Sequence, residues 1–480
     1  MKIKINIKSI FAIFFIVLGT ASCTDWLSVE PEGKLLKDNY WKTTEDVNGA
    51  LAAMYNSLQG STVTNFIWGE LRADLADMDE TYSGYSDYNR IAESDITVSN
   101  GKISWSQYYK TINLANTLRF YNKEVYGSDV TFTKELMDQV DSEAMFVSAL
   151  NHFYLVRLWQ QVPIMDAATV SDTSDYVIPK SSEREVIDFI TSELLEAKDM
   201  ASDDITLKGR ANKYSIMTLL ADVYLWDEQY QLASDYCDSV MAAGYSLEPS
   251  VTWWNLYYPG NSVSESIFEI QYDEILYEEA NPMYNGLLLP MLPDVDEYGE
   301  LLTSDDSRTC NPFSPTVPYP AYKYLLADVS TVTERTTDQQ DANFIYYRYA
   351  DVLLIKAEAL NELGGHEIEV NELLRETKER AGVVHSDISG LENLRTEILN
   401  ERGREFSFEG KRWFDILRNA KRDHFSNRDL IADIILEGVN VQKKEILSAY
   451  VYDTLSYYLP IPERDIESNP ELVQNPFYDK

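Results

Sequence analysis

Cysteine and histidine are scarce in this chain, which has 3 cysteines and 4 histidines in 480 residues. So few thiols exclude a disulfide framework in a secreted protein of this length. Cys237 lies in a helical apolar pattern and is predicted to be a core residue. His366-Glu367 begins an HExxH motif, but Val370 stands where the second histidine belongs. The sequence therefore predicts no metal ion and no cofactor.

Basic residues are also few. Lysine and arginine total 41 against 79 aspartates and glutamates, so the net charge is −38. This balance argues against a nucleic-acid partner. No P-loop, dinucleotide-binding or nucleophile-elbow motif is present, so the chain is predicted not to be an enzyme. A carboxylate-pair glycoside hydrolase is the catalytic alternative, because its two acids have no diagnostic spacing.

Long hydrophobic runs are lacking except at the N-terminus. Lysines in the first eight residues precede an apolar run at 10–18 and the small residues 19–22. That order is typical of a secretory signal, and the run is shorter than the about 20 residues that span a bilayer. Small residues directly before Cys23 form a lipobox. We therefore predict a signal peptide at 1–22 and lipidation of Cys23, whose acyl chains would anchor the protein to a membrane.

Apolar residues spaced three and four apart recur along much of the chain. Such spacing predicts helices buried on one face, and hence a mainly α fold. In residues 221–233 and 347–382, small and aromatic residues also fall at offsets similar to those of tetratricopeptide hairpins. The predicted helical stretches are 44–59, 103–124, 134–161, 184–201, 213–244 and 386–421.

The helical period is lost in two aromatic-rich regions, around 60–100 and 245–345. Tyrosine (33) outnumbers phenylalanine (17) and tryptophan (9) together. A tyrosine or tryptophan ring can stack on a ligand while its polar atom forms a hydrogen bond. Local packing is the alternative role for each ring. The candidate ligand-binding residues are Tyr82, Tyr85, Trp253, Trp254, Tyr277 and Tyr284.

The densest charged motif lies at 400–418. Glu401 and Arg404 are three apart, as are Arg412 and Asp415, and such pairs meet on a helix surface. One interpretation is an anion site built from arginines. The favoured one is an ion-pair network that locks a helix corner with Trp413 packed beneath, the two helices being separated near 410.

Taken together, ordered motifs across the mature chain resemble the SusD/RagB family of nutrient-binding outer-membrane lipoproteins. Each motif alone is weak evidence, and the order of all the motifs along the chain carries the resemblance. The pieces are Ser22 to Pro31, Trp105 to Asn116, Glu143 to Pro163, Ala221 to Leu225, Glu265 to Tyr272, Arg348 to Ala359, Glu401 to Arg418 and Tyr458 to Pro476.

The resemblance implies a SusD-like fold of tetratricopeptide-like hairpins with a loop-rich ligand-binding face. Residues 23–245 and 246–480 would then be two parts of one compact domain. Members of the family bind glycans, or in some branches peptides, without cleaving them. They act as the lid of a TonB-dependent outer-membrane transporter (SusC-like). The ligand loops would correspond to 62–100 and 250–325, and the lipid anchor would hold the protein on the external face of the outer membrane.

Overall fold

Helices form most of the described chain, which confirms the mainly α prediction. The computed structural model describes residues 40–78, 86–169, 177–258, 264–272, 322–328, 341–437 and 441–479, with short pieces at 260, 281, 291–293, 306, 308, 333–334 and 439. Cys23, Cys310 and the candidates Tyr82, Tyr85, Tyr277 and Tyr284 lie outside the described residues.

The first half of the described chain is a run of helices packed on their sequence neighbours. Thr43 begins α1 with a capping box, in which its hydroxyl accepts from the Asp46 amide and the Asp46 carboxylate accepts from the Thr43 amide. Such caps satisfy amides that the first helical turn leaves free. The elements are α1 (Thr44–Gln59), α2 (Thr62–Phe66), β1 (Ala76–Met78), α3 (Ser86–Ala92), α4 (Ser106–Ser128), α5 (Lys134–Trp159), α6 (Glu183–Met200), α7 (Lys213–Trp226) and α8 (Tyr230–Met241).

The second half contains the strands and the remaining helices. The strands pair as β1 with β3, β2 with β6 and β4 with β5. The elements are β2 (Ser266–Ile270), β3 (Met291–Pro293), α9 (Tyr322–Leu325), β4 (Leu326–Asp328), β5 (Thr333–Glu334), β6 (Phe344–Arg348), α10 (Tyr349–Leu363), α11 (Glu367–Arg380), α12 (Leu391–Phe406), α13 (Arg412–Phe425), α14 (Asp429–Glu437), α15 (Val441–Leu447) and α16 (Glu463–Ser468).

Two helical hairpins are present where the spacing of small and aromatic residues predicts them. Helix α7 packs on α8, and α10 packs on α11. Ala221 and Ala357 in these hairpins are buried, and the Tyr224 and Tyr236 rings stack at 5.7 Å. Small side chains let helix axes approach closely, while the aromatic rings fill the remaining groove. Buried apolar side chains from both halves form one contiguous core from Val47 to Leu472.

The C-terminal tail wraps onto the end of α5. The indole of Trp159 donates to the Pro460 carbonyl at 2.9 Å, and the Leu459 amide donates to the Leu158 carbonyl at 2.8 Å. The Gln474 side chain holds Ile461 through both its amide oxygen and its amide nitrogen. These bonds replace water on backbone groups that a proline-rich tail cannot satisfy within itself. Among the described helices, none combines the length and apolarity needed to cross a bilayer.

Two glycines allow a close backbone contact between the N- and C-terminal halves. A π-helical turn at Ile67–Leu71 packs against the turn that separates α12 from α13. Gly410 in that turn has φ +72°, which confirms the predicted break between the two helices. Both oxygens of buried Glu70 accept backbone N–H groups, from Phe408 at 2.7 Å and from Gly410 at 3.0 Å. Burial raises the pKa of Glu70 to about 8.

Replacing Gly69 with alanine is expected to destabilise the protein by about 1–3 kcal/mol, because the new methyl group overpacks a tight contact. A Cβ at Gly69 would lie 1.8 Å from the Gly410 carbonyl oxygen, which is backbone and has little room to move. Gly127→Ala is the matched control. A Cβ at this α4 position meets nothing within 4 Å, so the variant should gain about 0.5 kcal/mol. Urea unfolding measures the free energy of unfolding of both variants, and equal values would contradict the close backbone contact at Gly69.

Candidate ligand-binding face

Strands β1 and β3 join the two loop-rich regions of the chain. They pair antiparallel with Met78 opposite Met291. The segment that leaves β1 therefore begins beside the segment that enters β3, about 5 Å away across the pair. This strand pair is therefore a direct contact between the described parts of the predicted ligand regions 62–100 and 250–325. Tyr82, Tyr85 and Tyr284 belong to the segments that flank this strand pair in sequence.

Trp253 and Trp254 are buried rather than displayed. Trp253 is 2% exposed and Trp254 is 8% exposed, and their rings meet edge to face at 4.7 Å. Trp253 also packs against Tyr257 at 5.7 Å, and the Lys323 ammonium lies 5.2 Å from the Trp253 ring centroid. Neither ring leaves an open face for a sugar. The geometry therefore favours the alternative role for this pair, which is local core packing.

A buried arginine lies beneath these aromatic rings. Arg348, at the end of β6, is fully buried. Its Nη1 lies 2.7 Å from Glu265 and 2.6 Å from Glu405, and its Nη2 lies 2.9 Å from Glu409. One guanidinium thus contacts three carboxylates, one before β2 and two at the end of α12 and in the turn that follows it. Charges this deep are tolerated only when they are paired and hydrogen-bonded.

The same carboxylates hold the second loop region against the helical body. Arg308 donates to Glu401 at 2.7 Å and to Glu405 at 2.9 Å, and it pairs with Asp306 at 2.6 Å. Lys323 reaches Glu409 at 2.6 Å. The described pieces of this region that contain Arg308 and Lys323 are therefore tied to α12 and to the following turn by buried cations.

The electrostatic state of the cluster follows from burial and pairing. Burial alone would raise the pKa of Glu409, but Arg348 and Lys323 lower it to about 2. The pKa of Glu405 is also well below its usual range, because the opposing arginines outweigh burial. Burial lowers the pKa of Lys323 to about 8 despite Glu409 beside it. At neutral pH Glu405 and Glu409 are therefore charged and serve as fixed counter-ions, whereas burial raises the pKa of Glu265 above its usual value.

The charged motif at 400–418 is an ion-pair network, as the favoured interpretation predicts. Arg404 lies 2.8 Å from Glu401, Arg418 lies 3.0 Å from Asp415, and Trp413 is fully buried. The expected Arg412–Asp415 pair is replaced by a different one. Arg412 binds Asp74 through two contacts of 2.8 and 2.7 Å, linking α13 to the segment before β1.

The described part of the chain has few side chains suited to metal binding or to thiol chemistry. No group of three or more histidine, cysteine, aspartate or glutamate side chains is placed there to hold a metal ion. Cys237 is a free thiol in the core, and burial raises its pKa well above the usual value. Its predicted role as a small core residue is confirmed.

Two family models match the chain in sequence. The model described as "Starch-binding associating with outer membrane" matches residues 25–225, and the SusD family model matches residues 295–478. A relative from Formosa agariphila, SusD-like protein P38, is 28% identical, and the match covers 87% of this chain and 92% of that protein. The chain therefore belongs to the SusD family.

Solved structures agree with the fold. A SusD superfamily protein from Bacteroides vulgatus superposes with a TM-score of 0.74 at 20% identity, covering 91% of this chain and 99% of that one. A protein described as a laminarin-binding SusD-like protein superposes with a TM-score of 0.68 at 22% identity, covering 91% and 100%. The SusD-like fold expected from the resemblance is thus confirmed.

Sequence reasoning missed the cluster around Arg348. Arg348 and Glu265 were each part of a family-like motif, but no spacing linked one to the other. Their partners lie in distant segments, and no local period brings such residues together. The only signal was an excess of charged residues inside otherwise apolar stretches, and such residues are rarely buried unless they are paired.

Proposed function

We propose that this chain is an outer-membrane lipoprotein that binds a nutrient, an oligosaccharide, and delivers it to a partner TonB-dependent transporter as its lid. The family model whose description names starch binding and the outer membrane supports the nutrient class and the location. The laminarin-binding protein of the same fold supports a glycan ligand. The lipobox at Cys23 supports the lipid anchor, with the body on the external face.

The pairing of β1 with β3 is the observation that carries the choice of binding face. It brings the edges of both loop regions together at Met78 and Met291, next to the segments that contain Tyr82, Tyr85 and Tyr284. Tyrosine rings stack on the C–H faces of sugar rings, and their hydroxyls reach the sugar hydroxyls. The buried ion pairs of Arg308 with Glu401 and of Lys323 with Glu409 tie described residues at the end of the second region to the helical body, which supports a fixed base for this face.

The protein acts as a binder rather than an enzyme in this proposal. Incubation of the purified chain, without residues 1–23, with a panel of oligosaccharides separates binding from hydrolysis. Affinity without product release is the expected result. Turnover of any glycan would favour a carboxylate-pair hydrolase instead, and binding confined to peptides would favour a peptide-binding member of the family.

Replacing both Tyr82 and Tyr85 with alanine is expected to weaken binding of the best oligosaccharide at least about tenfold, or about 1.4 kcal/mol. Loss of two stacking rings removes contacts that exist only in the complex, so the melting temperature should stay unchanged. Calorimetric titration measures the affinity. The affinity and the melting temperature are also measured for Tyr284→Ala.

Tyr126→Ala is the matched control for these variants. Tyr126 is 46% exposed on α4 and lies outside both loop regions, so its removal should leave the affinity unchanged. Unchanged affinity in all the loop variants, with a stable fold, would refute this choice of face. An equal loss in Tyr126→Ala would show that the effect is not specific to the loops.

A further inference from the structure

A groove of about 510 Å³ lies on the helical body, where α1 meets the end of β2. Ligand pockets typically occupy about 300–1,000 Å³, so this volume is large enough for part of an extended organic ligand. Its walls come from one face of α1, from the segment before α7 and from Ile270 and Gln271. Apart from those last two residues, the described lining lies outside the predicted ligand regions 62–100 and 250–325.

Helix α1 turns one face to the core and another to the groove. Its core face carries buried apolar residues. Asn48, Ala52, Tyr55 and Gln59 line the groove, and their spacing of three or four residues places them along a single stripe of the helix. The small side chain of Ala52 keeps the middle of this stripe open. The stripe therefore combines polar ends with an aromatic residue between them.

Arg210 is held in the groove by a buried counter-ion. Its Nε donates to Glu143 at 2.9 Å and its Nη2 donates to the second oxygen of the same carboxylate. Glu143 is fully buried, whereas the Arg210 side chain is 42% exposed. The Tyr55 hydroxyl also donates to Glu143, at 2.7 Å. Because a guanidinium is planar, these contacts fix the direction of Nη1, which has no partner among the described residues.

Side-chain amides supply further donors and acceptors. Asn48 is exposed and forms no hydrogen bond with the described residues. Gln59 accepts from Asn56 at 3.3 Å through its Oε1, which leaves its Nε2 donors available. Gln271 donates to Glu269 at 3.0 Å through its Nε2, which leaves its Oε1 available as an acceptor. The groove therefore offers both kinds of hydrogen-bonding atom.

The groove carries no net charge although the protein is strongly acidic. No aspartate, glutamate or lysine is among its described lining residues, whereas 25% of the whole chain is charged. The charge of Arg210 is balanced by Glu143 behind it. A charged ligand would lose hydration there without gaining an opposite charge. A neutral ligand rich in hydroxyl groups suits the groove, because each hydroxyl both donates and accepts.

We propose that this groove is a second glycan-binding site, which takes a neutral oligosaccharide. The C–H face of a sugar ring packs on Tyr55 and Ala52. Its hydroxyls bind Nη1 of Arg210 and the amides of Asn48 and Gln271. The ligand class rests on the proposed function, but the groove uses none of the candidate tyrosines of the loop face.

The loop variant Tyr82→Ala/Tyr85→Ala isolates the groove from the loop face. Calorimetric titration of this variant, without residues 1–23, with maltohexaose, laminarihexaose and cellohexaose should show residual binding of at least one hexasaccharide. Crystals soaked with that hexasaccharide should show a sugar hydroxyl beside Nη1 of Arg210. Tyr126→Ala again serves as the control for the loop variant.

The outcomes separate the groove from the proposed function. If the wild type binds a hexasaccharide only at the loop face, the groove proposal is overturned and the proposed function stands. A filled groove with an empty loop face would support the groove and overturn only the choice of loop face. Absence of binding in both proteins would overturn the groove and count against the proposed function as well. A peptide bound in the groove in preference to all three sugars would also overturn the proposal.

Substitutions in the groove provide the second test. Asn48→Ala combined with Gln271→Ala removes two exposed amides and should weaken the residual binding at least tenfold with an unchanged melting temperature. Gly209→Ala should weaken it too, because its Cβ would lie 2.8 Å from Gln271 Oε1 and displace that side chain. Gln442→Ala removes an exposed amide from α15 and should leave the affinity unchanged. Equal affinities in the groove variants and the control would overturn the site, and Gly209→Ala decides if the double variant fails to fold.

Discussion

Replacing Arg348 with methionine is expected to destabilise the protein by at least about 3 kcal/mol, because it removes a buried guanidinium that pairs with three buried carboxylates. Glu265, Glu405 and Glu409 all contact this guanidinium at 2.9 Å or less, and Arg348 itself is fully buried. Methionine keeps much of the side-chain volume, so the lost charge is the main change. Thermal and urea unfolding measure the loss.

The effect should depend on pH with a definite sign. In the wild type, Arg348 and Lys323 lower the pKa of Glu409 to about 2 against the opposing effect of burial. The stabilisation that charged Glu409 gains from these two cations is present above the unfolded pKa of glutamate, about 4.5, and is lost as the pH falls toward 2. In Arg348→Met the carboxylates take up protons more readily. The difference between the variant and the wild type should therefore shrink from pH 7 to pH 3.

An exposed arginine provides the control. Arg184 pairs with Asp188 and Asp227 but is 50% exposed, so Arg184→Met should cost less than about 1 kcal/mol. Comparable losses in the two variants would contradict the central role of the buried cluster. A loss from Arg348→Met that is the same at pH 7 and at pH 3 would contradict the electrostatic explanation.

Replacing Cys23 with alanine is expected to move the protein from the membrane fraction to the soluble fraction. The thiol of Cys23 is the atom of the proposed lipobox that takes the first acyl chains, and each buried methylene contributes about 0.8 kcal/mol to membrane binding. Metabolic labelling with a fatty-acid analogue should also disappear. Cell fractionation and the labelled band measure the two effects independently.

Cys310→Ala is the control for this experiment, because it removes a thiol that no lipobox precedes. It should keep both the label and the membrane location. If Cys23→Ala loses the label but still sediments with the outer membrane, contacts with a partner protein would be holding it. Retention of the label in Cys23→Ala would refute lipidation at this position.

Local features of this protein could be predicted from the sequence because they depend on residues close together in the chain. The period of apolar residues predicts the helices, and Thr43 with Asp46 predicts the start of α1. Pairs three residues apart, such as Glu401 with Arg404, are set by helix geometry alone. Gly410 marks the break between α12 and α13 because its positive φ is unfavourable for other residues.

The strand at Ser266–Ile270 shows where a local pattern predicts an element but not its environment. Its alternating sequence is typical of a short strand, and the strand is present. All five residues are nevertheless buried, and β6 pairs along one edge. Glu269 is therefore in the interior, beside Lys208 at 3.5 Å. Burial on the second face depends on elements far away in the sequence.

The long-range contacts were decided by the tertiary structure. Arg348 contacts Glu265, which precedes β2, and Glu405 of α12. No local sequence period relates those two segments. From sequence alone, adjacent Trp253 and Trp254 could form a surface on which a ligand stacks. In the structure, the rings and the cation packed around them make them core residues.

The sequence alone therefore indicates the long helices, the break near Gly410, the charge and the family resemblance. The tertiary structure alone decides that β1 pairs with β3 and which charges are buried. The reason is physical. Propensity and periodicity act over a few residues, whereas desolvation and ion pairing depend on which distant segments exclude water together.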